Sequence, residues 1–317
     1  MLMRDLVGAF AEYQTERNRS PRTRERYGRV LDDLARHLER VGASVESTSA
    51  ETLGAFLRRR ADAGRPLAPA TRNVELAILR SFWRFLRRRG VTDRDPTAVL
   101  EFARIPRRDA TYLTLAEFDD LVAAIKATAS RRRARRDIAI VTTGFHTGLR
   151  LSEFLSLNED QVDWEELTFR AVVVKGGSCV DVAFNHDVAD VLRRLLRDRP
   201  SAEGARPIFG SSGGRRLSPR AVQLAFKRYL AAAGIAKGAT PHSLRHSTAT
   251  HLLAAGENLL VVAEQLHHQN LNTTRRYVRL AEGTRHRAVA RLAARVRSGR
   301  KARREVARRN AGEEARP

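Results

Sequence analysis

The apolar residues in the first third of the chain recur at intervals of three and four, which is the spacing of one face of an α-helix. Start and stop signals divide this stretch into four predicted helices. The first carries Leu6, Phe10 and Tyr13, the second runs from Ser20-Pro21 to Gly42, the third spans roughly 49–63, and the fourth begins at Ala68-Pro69. Residues 1–105 are therefore predicted to form a helical bundle.

Two proline-containing stretches, at 95–96 and 105–108, are typical of a linker after this bundle. Beyond the linker, Thr114 with Glu117 three residues later predicts a helix that begins with a capping box. The arginine-rich run at 131–136 is predicted to be a basic loop. The linker marks a boundary between two domains.

The apolar run 138–145 predicts a buried helix that ends near Gly148. A glycine at the end of a helix adopts the left-handed conformation easily, so the chain can start another helix at a new angle. This arrangement puts Arg150 at a helix start, with Glu153 three residues later. We interpret Glu153 as a carboxylate that orients a neighbouring basic residue.

The pattern then changes from helical spacing to two short strands, at 167–174 and 180–184. They are joined by Lys175-Gly176-Gly177-Ser178, so that Lys175 lies at the end of a hairpin. The remaining predicted elements are a helix over about 187–197, a short strand at Ile208-Phe209, a helix from Ser218-Pro219 to Gly234 and a helix from Thr240-Pro241. The predicted fold class is mainly α with a small β-sheet (α+β).

The charge balance suggests the kind of partner. Lys and Arg outnumber Asp and Glu by 59 to 36, a net charge of +23, which favours nucleic acid first and an acidic membrane surface second. No apolar run approaches the ~20 residues of a membrane span and no signal pattern opens the chain, so we expect a cytoplasmic protein. Cys179 is the only cysteine, which excludes a disulfide framework and a thiolate zinc site.

The stretch from Thr240 to Tyr277 carries the most chemistry. A helix beginning at Thr240 presents free N–H groups and a positive dipole end, which suit an anion. His242 and Arg245 are three residues apart on its first turn and are expected to face the same way, as a seat for a phosphate. Each feature alone has a plainer interpretation, because a His and an Arg at this spacing arise often by chance and a helical tyrosine usually lies in a core or at a surface.

The order of six residues along the chain is more specific than any one of them: Arg150, Lys175, His242, Arg245, His268 and Tyr277. The first lies in Thr-Gly-Leu-Arg-Leu-Ser-Glu, the third and fourth lie in Pro-His-Ser-Leu-Arg-His, and Leu-His-His ends nine residues before the tyrosine. Together these motifs resemble the tyrosine recombinase (phage integrase) family, in particular its Xer-like and transposon-type members. One departure is His267, which stands where the family usually has glycine.

The resemblance implies a domain plan and a set of partners. Residues 1–105 would be a SAM-like core-binding domain that contacts DNA, 106–297 the tyrosine-recombinase catalytic domain, and 298–317 a basic tail. The protein would bind double-stranded DNA and assemble on it as a tetramer, with a helix at 287–297 docking into a neighbouring protomer. A second recombinase is a further partner to consider.

The resemblance also implies a chemistry. Arg150 and Arg245 would bind the DNA phosphate, and His242 and His268 would donate hydrogen bonds or handle protons. Lys175 would protonate the leaving oxygen, and Tyr277 would be the nucleophile that forms a 3′-phosphotyrosine link. No metal, cofactor or ATP is expected.

Three other functions are compatible with parts of this sequence pattern. The chain could be a catalytically decayed DNA-binding protein, or an enzyme like a type IB topoisomerase that relaxes supercoils. A membrane-surface role ranks last, because the sequence lacks an amphipathic helix with large apolar residues. A zinc cluster of His242, His246 and His251 is disfavoured, because the HExxH motif is absent.

Overall fold

The computed structural model of the chain describes residues 3–59, 66–106, 109–174, 176–197, 199, 205–211 and 213–267. The chain divides into two compact units, residues 1–107 and 108–317. Within the described ranges, every helix is too short or too polar to cross a membrane.

The first unit is helical throughout the elements that the structure describes. Its helices are α1 (Met3–Glu16), α2 (Pro21–Arg40), α3 (Ala50–Arg58) and α4 (Pro69–Arg88). Helix α2 begins at the predicted proline because the Ser20 hydroxyl accepts a hydrogen bond from the Thr23 N–H. The core forms around Phe10, whose ring meets the Phe82 ring edge-on at 5.3 Å between centroids. Trp83 is fully buried beside them.

Helix α3 is shorter than the sequence predicts. The expected helix reached residue 63, whereas α3 ends at Arg58 because Arg59 adopts an extended backbone with φ −51° and ψ 149°. The Arg59 guanidinium donates to both carboxylate oxygens of Glu75, at 2.9 and 3.2 Å. This bidentate ion pair favours the extended turn over another turn of helix. Residues 60–65 lie outside the described ranges.

The second unit is also mainly helical. Its helices are α5 (Leu115–Thr128), α6 (Arg131–Thr147), α7 (Leu151–Leu155), α8 (His186–Leu196), α9 (Pro219–Ala232), α10 (Pro241–Ala255) and α11 (Leu259–Gln265). The capping box predicted at Thr114 is present, with the Glu117 carboxylate accepting from the Thr114 N–H at 2.7 Å. A three-stranded antiparallel sheet accompanies the helices. The predicted class, mainly helical with a small sheet, is confirmed.

The sheet consists of β1 (Val162–Asp163), β2 (Thr168–Val173) and β3 (Cys179–Ala183), in that order. The predicted hairpin of β2 and β3 is confirmed. The sequence did not predict β1, because a strand of two residues is too short to show an alternation of apolar and polar positions. The strand predicted at Ile208-Phe209 is wrong. Both residues are fully buried, yet only isolated bridges form beside them, so an apolar pair there marks core packing rather than a strand.

The basic loop predicted at 131–136 is also wrong, because these residues form the first turns of α6. Arginine has a high helix propensity, and the run is interrupted by Ala134, which is buried against the core. Asp137 anchors this end of the helix by accepting hydrogen bonds from the Arg136 guanidinium and the Tyr229 hydroxyl. Tertiary packing therefore outweighs the repulsion among the arginines.

Candidate functional site

The turn between α6 and α7 positions the first candidate residue, Arg150. Gly148 ends α6 in the left-handed conformation, with φ 67°, and Arg150 then precedes the first residue of α7. The backbone N–H of Arg150 donates to Glu153 Oε2 at 2.8 Å, and its Nη1 donates to Glu153 Oε1 at 2.7 Å. The predicted orienting role of Glu153 is confirmed. The bond to Glu153 Oε1 anchors the Arg150 guanidinium. The Arg150 side chain is 27% exposed, so its guanidinium is still accessible to a ligand.

Arg245 has a different environment, although it lies three residues after His242 on the same helix. It is 1% exposed, whereas His242 is exposed, a difference in burial that the sequence did not predict. Arg245 Nη1 donates to the carbonyl oxygen of Gly148 at 2.7 Å, and Nη2 donates to the carbonyl oxygen of Leu266. These bonds draw the long arginine side chain inward and join the turn before α7 to the turn after α11.

His242 lies at the start of α10, close to the beginning of α7. Its ring is 4.5 Å from the His246 ring, and it lines a surface cavity of about 1000 Å³ together with Leu151 of α7. Nε2 of His251 instead contacts the carbonyl oxygen of Leu113 at 2.8 Å, a structural role. Among the described residues, no group of three or more His, Cys, Asp or Glu side chains could hold a metal ion, and His242, His246 and His251 therefore do not form a zinc cluster.

Position 148 requires glycine for two reasons, the left-handed backbone conformation and the close approach of the Leu266 side chain. A Cβ atom at this position would lie 2.5 Å from Cδ2 of Leu266, which is fully buried. The packing of Leu266 on Gly148 and the bridge made by Arg245 hold the same two turns together.

Replacing Gly148 with alanine is expected to lower the free energy of unfolding by about 2–4 kcal/mol, from left-handed strain and from overpacking against Leu266. The matched control is Gly234→Ala. Gly234 has a similar φ of 70°, and a Cβ there would meet nothing within 4 Å. The control should lose only about 1–2 kcal/mol. Chemical denaturation measures both, and equal losses would show that the packing on Leu266 is unimportant.

His267 also belongs to this site, although the sequence did not predict a role for it there. It has φ 49°, a left-handed conformation that costs a non-glycine residue about 1–2 kcal/mol. Burial is the main cause that lowers the pKa of His267, and the charges of Arg245 and Arg150 lower it further while Glu153 raises it. The only signal in the sequence was a histidine where the resembling family usually has glycine.

Three of the six candidates, Arg150, His242 and Arg245, are within the described ranges. Arg245 binds the turn that precedes Arg150, and His242 lines a cavity together with Leu151, the residue after Arg150. Lys175, His268 and Tyr277 lie outside those ranges, as do the helix predicted at 287–297 and the basic tail at 298–317. The roles of these residues stay predictions from the sequence.

Comparisons with known proteins agree on the class. The sequence profile of the phage integrase family matches residues 111–283, and that of the phage integrase N-terminal SAM-like domain matches residues 8–90. The chain is 36% identical over 278 residues to the tyrosine recombinase XerC of Bradyrhizobium diazoefficiens, covering 83% of this chain and 84% of that protein. It is 34% identical over 283 residues to XerC of Mycobacterium leprae, covering 87% and 94%.

Solved structures show the same fold. The Tn1549 transposon integrase in complex with circular intermediate DNA superposes with a TM-score of 0.71 at 18% identity, covering 87% of this chain and 95% of that one. The XerH site-specific recombinase bound to palindromic difH substrate gives 0.70 at 19% identity, covering 86% and 81%. The profiles and sequence relatives define an enzyme of the tyrosine recombinase class. The chain belongs to the phage integrase family.

Proposed function

We propose that this protein is a site-specific recombinase that cleaves and rejoins double-stranded DNA through a covalent link to Tyr277. The observation that carries the proposal is the bridge made by Arg245, which holds its own guanidinium next to the turn that leads into Arg150. Two guanidiniums close to a helix start suit the phosphate of a DNA strand. The matched relatives, XerC proteins among them, are recombinases by name.

The proposed chemistry begins with the charge of the phosphodiester, which repels nucleophiles and grows in the transition state. Arg150 and Arg245 bind the non-bridging oxygens and neutralise this charge. Arg150 can do so while anchored, because a guanidinium has five N–H donors and its bond to Glu153 Oε1 uses only Nη1. His242 and His268 add hydrogen bonds or accept the proton of the nucleophile.

The Tyr277 oxygen then attacks phosphorus, and the bond from phosphorus to the 5′ oxygen breaks. The tyrosine proton passes to a site histidine or to water, and Lys175 protonates the departing 5′ oxygen. The products are a 3′-phosphotyrosine link and a free 5′-hydroxyl group. Since the phosphodiester energy is retained in the covalent link, a 5′-hydroxyl from another strand can reverse the step without ATP or a metal ion.

Recombination requires two duplexes, so we propose self-association as a tetramer on DNA in the cytoplasm. A groove of about 840 Å³ between α5, α6 and α8 is lined by both apolar and charged side chains, and one of the apolar ones, Leu115, is 61% exposed. The helix predicted at 287–297, with its short apolar stripe, would fit such a groove on a neighbouring protomer. A second recombinase could occupy the same position in a mixed assembly.

The test begins with sequencing the DNA that becomes covalently attached to the protein in cells, which supplies the target site. A nicked suicide substrate of that site, incubated with a chelator and without ATP, should trap a 3′ adduct, and two intact partner sites should recombine. Relaxation of supercoiled DNA with little sequence demand would support the topoisomerase-like alternative. Tight binding to the site with no adduct would support the decayed DNA-binding protein.

A further inference from the structure

His267 lies in a tightly held turn at the end of α11. Leu266 follows the helix with φ −88° and ψ −2°, and the chain then turns at His267 with φ 49°. The backbone N–H of His267 donates to the carbonyl oxygen of Glu264 at 2.8 Å. The position of the imidazole is therefore set by an ordered backbone.

This turn is fastened directly to the start of α7. Arg245 binds the carbonyl oxygen of Leu266, immediately before His267, and the carbonyl oxygen of Gly148, two residues before Arg150. The side chain of Leu266 also packs against Gly148. The imidazole consequently lies within the electrostatic influence of Arg150, Glu153 and Arg245.

The imidazole ring has an unused hydrogen-bonding atom. Its Nε2 is buried and has no hydrogen-bond partner among the described residues. Burial and the two arginines hold the pKa of His267 below the ordinary histidine value despite the opposing effect of Glu153. The ring is therefore neutral near pH 7 and becomes charged only in more acidic solution.

We propose that His267 is a positioning residue whose protonation controls how firmly Glu153 holds Arg150. While the ring is neutral, Arg150 binds both carboxylate oxygens of Glu153, through its backbone N–H and its Nη1. A protonated ring presents a charged N–H donor that competes for the same carboxylate, and the Arg150 guanidinium then loses its anchor. The proposal rests on the proposed function, in which Arg150 binds the scissile phosphate.

The surrounding charges favour Glu153 as the group that responds. Arg150 on α7 and Arg245 on α10 are both positive and repel an imidazolium ion, whereas Glu153 attracts it. Glu264, on the preceding helix, has an exposed side chain, so solvent weakens its influence. A glycine at position 267 would make the same turn without backbone strain but could not respond to pH.

The first test compares the rate of adduct formation by wild type and His267→Gln between about pH 8 and about pH 5. The ratio of wild-type to variant rate should fall by about tenfold on acidification, because only the wild type loses the Arg150 anchor by titration at this position. His267→Gly serves as a second variant with relaxed backbone strain and should behave like the glutamine variant. Other titrating site residues affect all three proteins equally. A ratio that does not change with pH would overturn the proposal.

The second test needs no DNA, so it stands even if the proposed function fails. Carbon-13 NMR of the histidine rings in the full-length protein gives the His267 titration, which is identified by its loss in His267→Gln. Glu153→Gln should lower the His267 pKa further, and Arg150→Met should raise it, since each removes a charge that acts in the opposite direction. If Glu153→Gln does not fold, Arg150→Met alone decides. A His267 titration that neither change moves would contradict the proposal.

Discussion

Replacing Tyr277 with phenylalanine is expected to abolish the covalent protein–DNA adduct while DNA binding stays within about threefold of wild type. The substitution removes only the hydroxyl oxygen that attacks phosphorus, and no other group can form the same link. Binding is retained because most of the affinity comes from the many arginine contacts with phosphates. A nicked suicide substrate measures the adduct, and a mobility shift at the same salt concentration measures binding.

The matched control is Tyr229→Phe in the same unit. The Tyr229 hydroxyl donates to Asp137 Oδ2 at 2.6 Å, and burial raises the pKa of Tyr229 to about 12, so it is unsuited to act as a nucleophile. This variant should still form the adduct, although it should lose about 1–2 kcal/mol of stability because a buried carboxylate loses one of its donors. An adduct that persists in the Tyr277 variant would show that the nucleophile has been assigned wrongly.

Elements whose boundaries depend on neighbouring residues were the most predictable from sequence. The starts of α2 and α5 follow from Ser20-Pro21 and from the pair Thr114 and Glu117, because each cap is completed within one turn of helix. The end of α6 at Gly148 is equally local. Errors arose where distant contacts decide the structure, as at Arg59, which leaves α3 to pair with Glu75.

The candidate site shows the same division between local and distant causes. The pairing of Arg150 with Glu153 could be predicted, because Arg150 caps the start of α7 and Glu153 follows three residues later. The burial of Arg245 could not, because its two carbonyl partners lie at Gly148 and Leu266, far from it in the sequence. The environment of His267 depends on that same bridge, so a histidine at this position gave no sign of its neighbours.

Substitutions of Arg245 and Arg150 are consequently expected to affect different properties of the protein. Arg245 joins two turns of the fold and, in the proposed function, also binds the phosphate. Its replacement would therefore combine a loss of stability with a loss of catalysis. Arg150 is partly exposed, and its backbone N–H bond to Glu153 Oε2 does not depend on its side chain. Arg150→Ala therefore separates phosphate binding from folding more cleanly, and circular dichroism can verify that the variant folds.

The charge of the scissile phosphate gives the most direct test of the proposed mechanism. On an ordinary suicide substrate, Arg150→Ala should slow adduct formation by about 10²–10³-fold, the usual cost of losing one donor to a developing charge. On a substrate with a neutral methylphosphonate at that position, the same variant should lose less than about tenfold, because there is no longer a full charge to neutralise. The control is Arg193→Ala. Arg193 is an exposed residue of α8 that stacks over Trp164, so its replacement should not slow adduct formation on either substrate.

The role of Arg150 is therefore tested most directly by the ratio of wild-type to Arg150→Ala adduct rates on the two substrates. If Arg150 neutralises the phosphate charge, this ratio is large with the charged phosphate and small with the methylphosphonate. An equally large ratio on both substrates would contradict this role, because Arg150 would then act through something other than the charge of the DNA phosphate.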